Sequence, residues 1–167
     1  MRVFNETQRF NQWWLKVILL AMFLSLLYAI YHWYFVNTNV GNVSSDDTTG
    51  QVIVFLSIAP LFILFYFLKL TTEIDESGIH YQFLPFHFSK KTIHWHEMDD
   101  CYLRAYKPIA EYGGWGYRTS FGNGKAFNVK GNKGIQINLS NGKKVLLGTQ
   151  KQEQAEKVIL RYIKKRV

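Results

Sequence analysis

Hydrophobic positions along the chain follow two unlike patterns. From Trp13 to Val36 the sequence reads WWLKVILLAMFLSLLYAIYHWYFV, apolar on every side, with Lys16 its one formal charge. Twenty-four residues rising about 1.5 Å each make a helix of about 36 Å, enough to cross a hydrocarbon core of roughly 30 Å. Trp13 and Trp14 at one end and Tyr31, Trp33 and Tyr34 at the other read as the aromatic belts of two membrane interfaces. A second run, Val52 to Leu68, holds thirteen Val, Ile, Leu or Phe and no charge before Lys69. At about −0.3 to −0.6 kcal/mol each, these side chains favour insertion by roughly 4 to 8 kcal/mol. Pro60 falls mid-span, deprives the Leu56 carbonyl of its donor and predicts a kink, with Ser57 or a neighbouring helix to satisfy the freed group. Neither span has a charged residue at its centre, so the pair reads as an anchor rather than an ion path. The first run is too long, and too bulky at its flanks, for a cleaved signal peptide.

Beyond residue 70 the period drops to two in short blocks separated by turn residues, the mark of strands. Thr71–Ile74 and Ile79–Leu84 flank the turn Asp75-Glu76-Ser77-Gly78, with Ile79, Tyr81 and Phe83 on one face. Thr92–His96 points Ile93 and Trp95 inward and His94 and His96 outward. Cys101–Lys107 is closed by Pro108, and a glycine-rich aromatic stretch then leads to Lys125–Lys130. Gly134–Leu139 and Lys143–Leu147 flank Ser140-Asn141-Gly142, whose Asn-Gly pair predicts a type I′ hairpin. The last element has a helical period: Thr149 and Gln152 form a capping-box pattern, and Ala155, Val158, Ile159, Tyr162 and Ile163 share one face. The fold class this predicts is a membrane-anchored α+β protein, two transmembrane helices followed by a seven-stranded β-sandwich or open barrel capped by a C-terminal amphipathic helix. Residues 1–12 form an N-terminal segment, 13–36 and 52–70 the spans, 37–51 a connecting loop and 71–167 the head.

Charge orients this plan. Arg2, Arg9 and Lys16 precede or open the first span and Lys69 ends the second, while the loop between them carries Asp46 and Asp47 and no Lys or Arg. The positive-inside rule then puts both termini in the cytoplasm and the loop outside, a loop with too little apolar content for a core of its own. The chain carries 20 Lys and Arg against 12 Asp and Glu. Sixteen and nine of these fall in residues 71–167, so the excess charge belongs to the head. A single cysteine, Cys101, excludes a disulfide framework and any multi-Cys metal site.

The segments TTEIDESGIHYQF, IHWHEM, YGGWGYR and AFNVKGNKGIQINLSNGKKVLLGT, with the closing helix, resemble the pleckstrin-homology-like (PH-like) domains that follow two transmembrane helices in small bacterial membrane proteins. The resemblance implies a bacterial inner membrane and a binding or scaffolding module rather than an enzyme. Members that bind phosphoinositides use basic residues around the first strand-to-strand loop. Here that loop is Asp75-Glu76-Ser77-Gly78, whose carboxylates repel a phosphorylated headgroup.

Candidate chemistry is sparse. Tyr112, Gly113, Gly114, Trp115, Gly116, Tyr117 and Arg118 offer aromatic contact area, a forked donor and a backbone open to close approach. They read either as a site for a protein partner or a second copy of the chain, or as aromatics packed over a bulge. Lys143, Lys144, Arg161, Lys164, Lys165 and Arg166, with Lys125, Lys130 and Lys133, read either as a surface for anionic membrane lipids or as a solvated basic face. No groove-reading helix or stacking platform accompanies them, so nucleic acid is not expected. His94 and His96, near Glu97, Asp99, Asp100 and Cys101, read as the exposed side of a strand rather than a zinc site. No metal, no cofactor and no catalytic constellation is expected.

Overall fold

The computed structural model describes residues 4–164, the side chain of Lys164 excepted. The chain divides into two compact units. One comprises residues 11–67; the other joins the residues before them to those from Leu68 onward.

In the first unit α1 runs Trp13–Tyr31 and continues as a wider π turn, His32–Val36, which ends on Asn37 in the left-handed region (φ 55°). Helix α2 spans Thr48–Phe67, with Pro60 inside it. Both are long and apolar enough to cross a membrane, at 24 residues through Val36 and 20 residues. The Ser57 hydroxyl donates to the Val54 carbonyl (2.7 Å), and so is not turned to the carbonyl that Pro60 frees. The connection between the helices is more than a polar tether. Val40 and Val43 bridge, and Trp33 lies buried with its indole N–H on the Val43 carbonyl (3.2 Å). Gln51 is also buried: it donates to the carbonyls of Ser44 and Ser45 and accepts from the Tyr34 hydroxyl (3.1 Å). Asp47 caps α2 by accepting from the Gly50 N–H (2.9 Å). Trp33, expected in an aromatic belt, instead pins this connection.

The second unit holds nine strands among the described residues, not seven. Strands β1 (Phe4–Arg9), β2 (Lys69–Ile74), β3 (Gly78–Leu84) and β4 (Lys91–His94) form one antiparallel sheet in that order. After a 3-10 turn at Trp95–Glu97 come β5 (Met98–Ala105), a short helix α3 (Pro108–Tyr112), β6 (Gly116–Ser120), β7 (Gly124–Asn128), β8 (Lys133–Leu139) and β9 (Lys144–Gly148). Their sheet has the order β5-β8-β9-β7-β6, with β7 and β9 parallel. Both sheets are open. Helix α4 (Gln152–Lys164) buries Ala155, Val158 and Ile159, and Tyr162 stacks on Trp95 at 5.3 Å. The core joins Leu70, Ile74, Ile79 and Phe83 from the first sheet with Phe127, Ile135, Ile137, Leu146 and Leu147 from the second, all essentially inaccessible.

Strand β1 corrects the sequence reading, which left residues 1–12 outside the head. It pairs with β2 along its length, Phe4 opposite Ile74 and Arg9 opposite Lys69. The residues it buries are Phe4, Glu6 and Gln8. Two of those three are polar, so no apolar alternation announces the strand. Both Glu6 oxygens and the Gln8 amide nitrogen are met by the far side of the chain, while Gln8 Oε1 is buried without a partner. Thr149 donates its hydroxyl proton to Glu6 Oε2 (2.6 Å), the Gln150 N–H donates to Oε1 (2.8 Å), and Gln8 donates to the Gly148 carbonyl (2.7 Å). The capping box expected at Thr149 therefore does not form. Helix α4 starts at Gln152, and Thr149 holds Glu6 while its oxygen accepts from the Lys151 N–H (3.1 Å).

The β8–β9 turn differs as well. Leu139 and Lys143 are still bonded, and Gly142 alone of the turn has positive φ (77°). The loop is thus three residues, Ser140-Asn141-Gly142, rather than a two-residue type I′ turn. The strand expected through His96 ends at His94, where the 3-10 turn begins.

Candidate functional site

Several polar groups of the glycine-rich aromatic segment are bonded to other groups of the head, although Tyr117 and Arg118 are exposed. Pro108 opens α3, and Gly113 ends it in the left-handed region (φ 72°), where its N–H and that of Gly114 cap the helix carbonyls. Tyr112 is buried in a small cluster with Tyr106, Ala126 and Leu146, and its hydroxyl donates to the Asn123 carbonyl (3.3 Å). Arg104 binds Glu111 at 2.7 Å and reaches the Tyr112 hydroxyl and Gln136 Oε1. That pairing holds the Glu111 carboxyl below its ordinary range against the opposing effect of burial. Trp115 donates its indole N–H to the Gly131 carbonyl (2.9 Å). Gly116 donates to Asn128 (2.8 Å), and Arg118 folds back to the Trp115 carbonyl (3.1 Å). Tyr117 stacks on Phe127 at 4.9 Å. The segment buttresses β6 and β7, as aromatics packed over glycines would.

The histidine pair holds no metal geometry. His94 and His96 stack at 5.4 Å, and His94 donates its Nδ1 proton to the Ser77 carbonyl (3.2 Å). Among the described residues no group of three or more His, Cys, Asp or Glu stands where it could hold a metal ion. Cys101 is buried, and burial followed by the charge of Asp100 pushes its thiol up to about 12, so it stays protonated. In the β2–β3 turn, burial tends to raise the Asp75 carboxyl. Hydrogen bonds from Ser77 and His80, with the charge of His80, outweigh it and leave the group well below the usual carboxylate range.

A cleft of about 490 Å³ opens where the β6–β7 and β8–β9 turns meet the other sheet. Tyr81 of β3, Ile93 of β4, Leu139 and Val145 give it an apolar floor; Thr119 and Ser120 add hydroxyls; Lys125, Lys143 and Lys144 stand at its rim. None of its lining residues is acidic. Two glycines make this geometry. Gly122 and Gly124 both have positive φ (85° and 78°), and Gly124 lies so close to the Lys144 carbonyl that a Cβ there would collide with it. Lys144 is partly held, donating to the Gly122 carbonyl (3.2 Å). Phe121, between the lining residues Ser120 and Gly122, is fully exposed at the turn. Behind the floor Tyr81 packs on Phe127 (5.0 Å) and near His87 (5.9 Å). Burial, then the charges of Lys91 and Lys125, pull the His87 pKa down, so the ring is neutral near pH 7.

Of the basic residues singled out for a lipid surface, Lys143 and Lys144 thus share the cleft rim, joined by Lys125. Arg161 is exposed on α4 and does not line it. The Lys164 side chain, Lys165 and Arg166 lie outside the described residues. Phe121 and the floor residues Tyr81 and Ile93 were not singled out in sequence as a site. The available signal was the recurrence of Gly122, Gly124 and Gly142 beside Lys125, Lys143 and Lys144.

Fold and cleft together define an α+β protein with two apolar helices and a basic two-sheet domain of unassigned chemistry. Residues 2–164 match a family described as a family of unknown function, DUF6141, and the chain belongs to that family. A comparison with curated proteins finds none that matches.

Proposed function

We propose that the chain is a non-enzymatic, membrane-anchored binding module that receives its ligand in the lysine-rimmed cleft of a cytoplasmic head. The observation that carries the reading is the cleft itself, a concave site with an apolar floor and a few converging cations, the form in which ligand sites usually occur. Two features support the membrane part. Helices α1 and α2 have the length and composition of spans, and β1 pairs with β2 on either side of them. Partners in one sheet lie on one side of a bilayer, so a chain that crosses between them crosses an even number of times. That agrees with the positive-inside reading of Arg9, Lys16 and Lys69. The likeness of the strand-then-helix order to PH-like domains of bacterial inner membranes supports a binding role. Docking a protein partner through Tyr112–Arg118 has less behind it, because Tyr112, Trp115 and Arg118 already engage groups of the head.

The test is photo-crosslinking in membranes of full-length chain carrying a photoreactive residue at Thr119, in the cleft, or at Glu76, in the β2–β3 turn. Capture from position 119 and not from 76, in membranes that retain the protein after alkaline extraction, is expected. Extraction of the chain into the aqueous phase, or equal labelling from both positions, overturns the proposal.

A further inference from the structure

We infer that the ligand of this cleft is a long-chain anion, a carboxylate or phosphate headgroup bound by Lys125, Lys143 and Lys144 with its acyl chain laid over Tyr81, Ile93, Leu139 and Val145. The inference rests on the reading of the cleft as the binding site and adds the class of ligand.

Charge sets the first constraint. Three lysines and no carboxylate line the space, so a cation is repelled and an anion attracted. Lysine presents a compact charge on a flexible stem rather than the planar fork of arginine. The site therefore selects for negative charge more than for one headgroup geometry. The floor sets the second constraint. Tyr81, Ile93 and Val145 are packed into the protein and turn only a narrow strip to the cleft, to which Leu139 adds; that apolar strip has nothing to give a small hydrated ion. Inorganic phosphate would leave that surface uncovered, whereas an acyl chain covers it by ordinary burial of apolar area. The polar groups on the walls are the hydroxyls of Thr119 and Ser120, which suit a headgroup but make no pattern for reading a nucleobase. Volume sets the third. About 490 Å³ is within the range of roughly 300 to 1,000 Å³ that small-ligand sites occupy.

Phe121 is the independent observation. Its ring is fully exposed at the tip of the β6–β7 turn, between two residues that line the cleft. An aromatic ring left in water next to the cleft's lining residues is apolar surface available for an acyl chain to cover. The two positive-φ glycines on its C-terminal side, with Gly124 seated against the Lys144 carbonyl, fix the turn that presents it.

The experiment uses the full chain in nanodiscs of zwitterionic lipid. Three probes are compared: a free long-chain fatty acid with a diazirine in its tail, an anionic phospholipid with the same group built into the disc, and a diazirine-bearing long-chain amine. Peptide mapping is expected to place label from either anion on Thr119–Lys125 and Leu139–Val145. An excess of unlabelled long-chain acid should remove it and inorganic phosphate should not. Which anion labels distinguishes a ligand drawn from the bilayer from one taken up free. Replacing Lys125, Lys143 and Lys144 together by Gln should lower cleft labelling on the order of a hundredfold, at about 1 kcal/mol per lysine, with thermal unfolding unchanged. Label confined to residues 13–67, equal labelling by the amine, or full competition by inorganic phosphate overturns the inference. If Thr119 captures a peptide while neither anion labels the cleft, the ligand class falls and the binding site stands.

Discussion

Tyr112–Arg118 and the cleft between the β6–β7 and β8–β9 turns are made from the same ingredients: glycines with positive φ, aromatic rings and cationic side chains. They use them in opposite ways. In the first, Tyr112, Trp115 and Arg118 give their donors to Asn123, Gly131 and Trp115, and the arginine that stabilises the turn, Arg104, is paired with Glu111. In the second, the lysines face a space with no acidic lining residue, and Phe121 is fully exposed. A conspicuous composition therefore marks where a chain spends its hydrogen bonds as readily as where it offers them. What separates the two cases is how far the donors are occupied: in the cleft Lys144 reaches the Gly122 carbonyl, while no carboxylate lines the space that the lysines share.

The contrast can be broken by substitution. If the first segment is structural, Tyr112→Ala should destabilise the head by about 3 to 5 kcal/mol, because it empties a buried aromatic site beside Tyr106 and Leu146. Denaturant unfolding followed by near-UV circular dichroism reads this, and a loss below about 1 kcal/mol would put Tyr112 in the same position as the cleft residues. Gly124→Ala should cost about 1 to 3 kcal/mol by the same measurement, since it adds a Cβ at φ 78° against the Lys144 carbonyl.

Acid sharpens the comparison further. The Glu111 carboxyl is held low by Arg104, so its contribution is complete above the ordinary carboxylate pKa and is lost as pH falls through the lowered value. Arg104→Met should flatten the dependence of Tm on pH below about 4.5. An unchanged slope would mean that the pair does not support the turn. The smallest effect belongs to the rim. Lys125→Gln or Lys143→Gln should each change stability by less than about 0.5 kcal/mol. Lys125→Gln should also raise the pKa of His87, whose ring feels that charge after burial and Lys91, in a histidine NMR titration.

The apolar spans were legible from length and composition, and most of the strands between Thr71 and Leu147 because burial there follows side-chain hydrophobicity. Ile79, Tyr81 and Phe83 alternate in sequence and are buried together. Strand β1 was not legible for the converse reason: Glu6 and Gln8 are inward-facing because Thr149, Gln150 and Gly148 wait for them 140 to 144 positions away. Strand β6 reads Gly-Tyr-Arg-Thr-Ser and lies at a sheet edge with little burial, so no pattern marks it. The cleft was half legible. Its lysines stood out, but its floor is drawn from Tyr81 and Ile93 in one sheet and Leu139 and Val145 in the other, a pairing that local sequence does not encode.

The place of β1 sets an order of events during synthesis. It leaves the ribosome before α1, and its partner β2 follows only after α2 is complete. Until both helices have been made, Glu6 and Gln8 have neither a neighbouring strand nor the Gly148–Gln150 groups that satisfy them. On the membrane reading, a chain with one helix misplaced would strand β1 on the wrong side of the bilayer and leave the head one strand short. On that reading, closing the four-stranded sheet requires a correctly threaded hairpin, because β1 and β2 pair along their whole length.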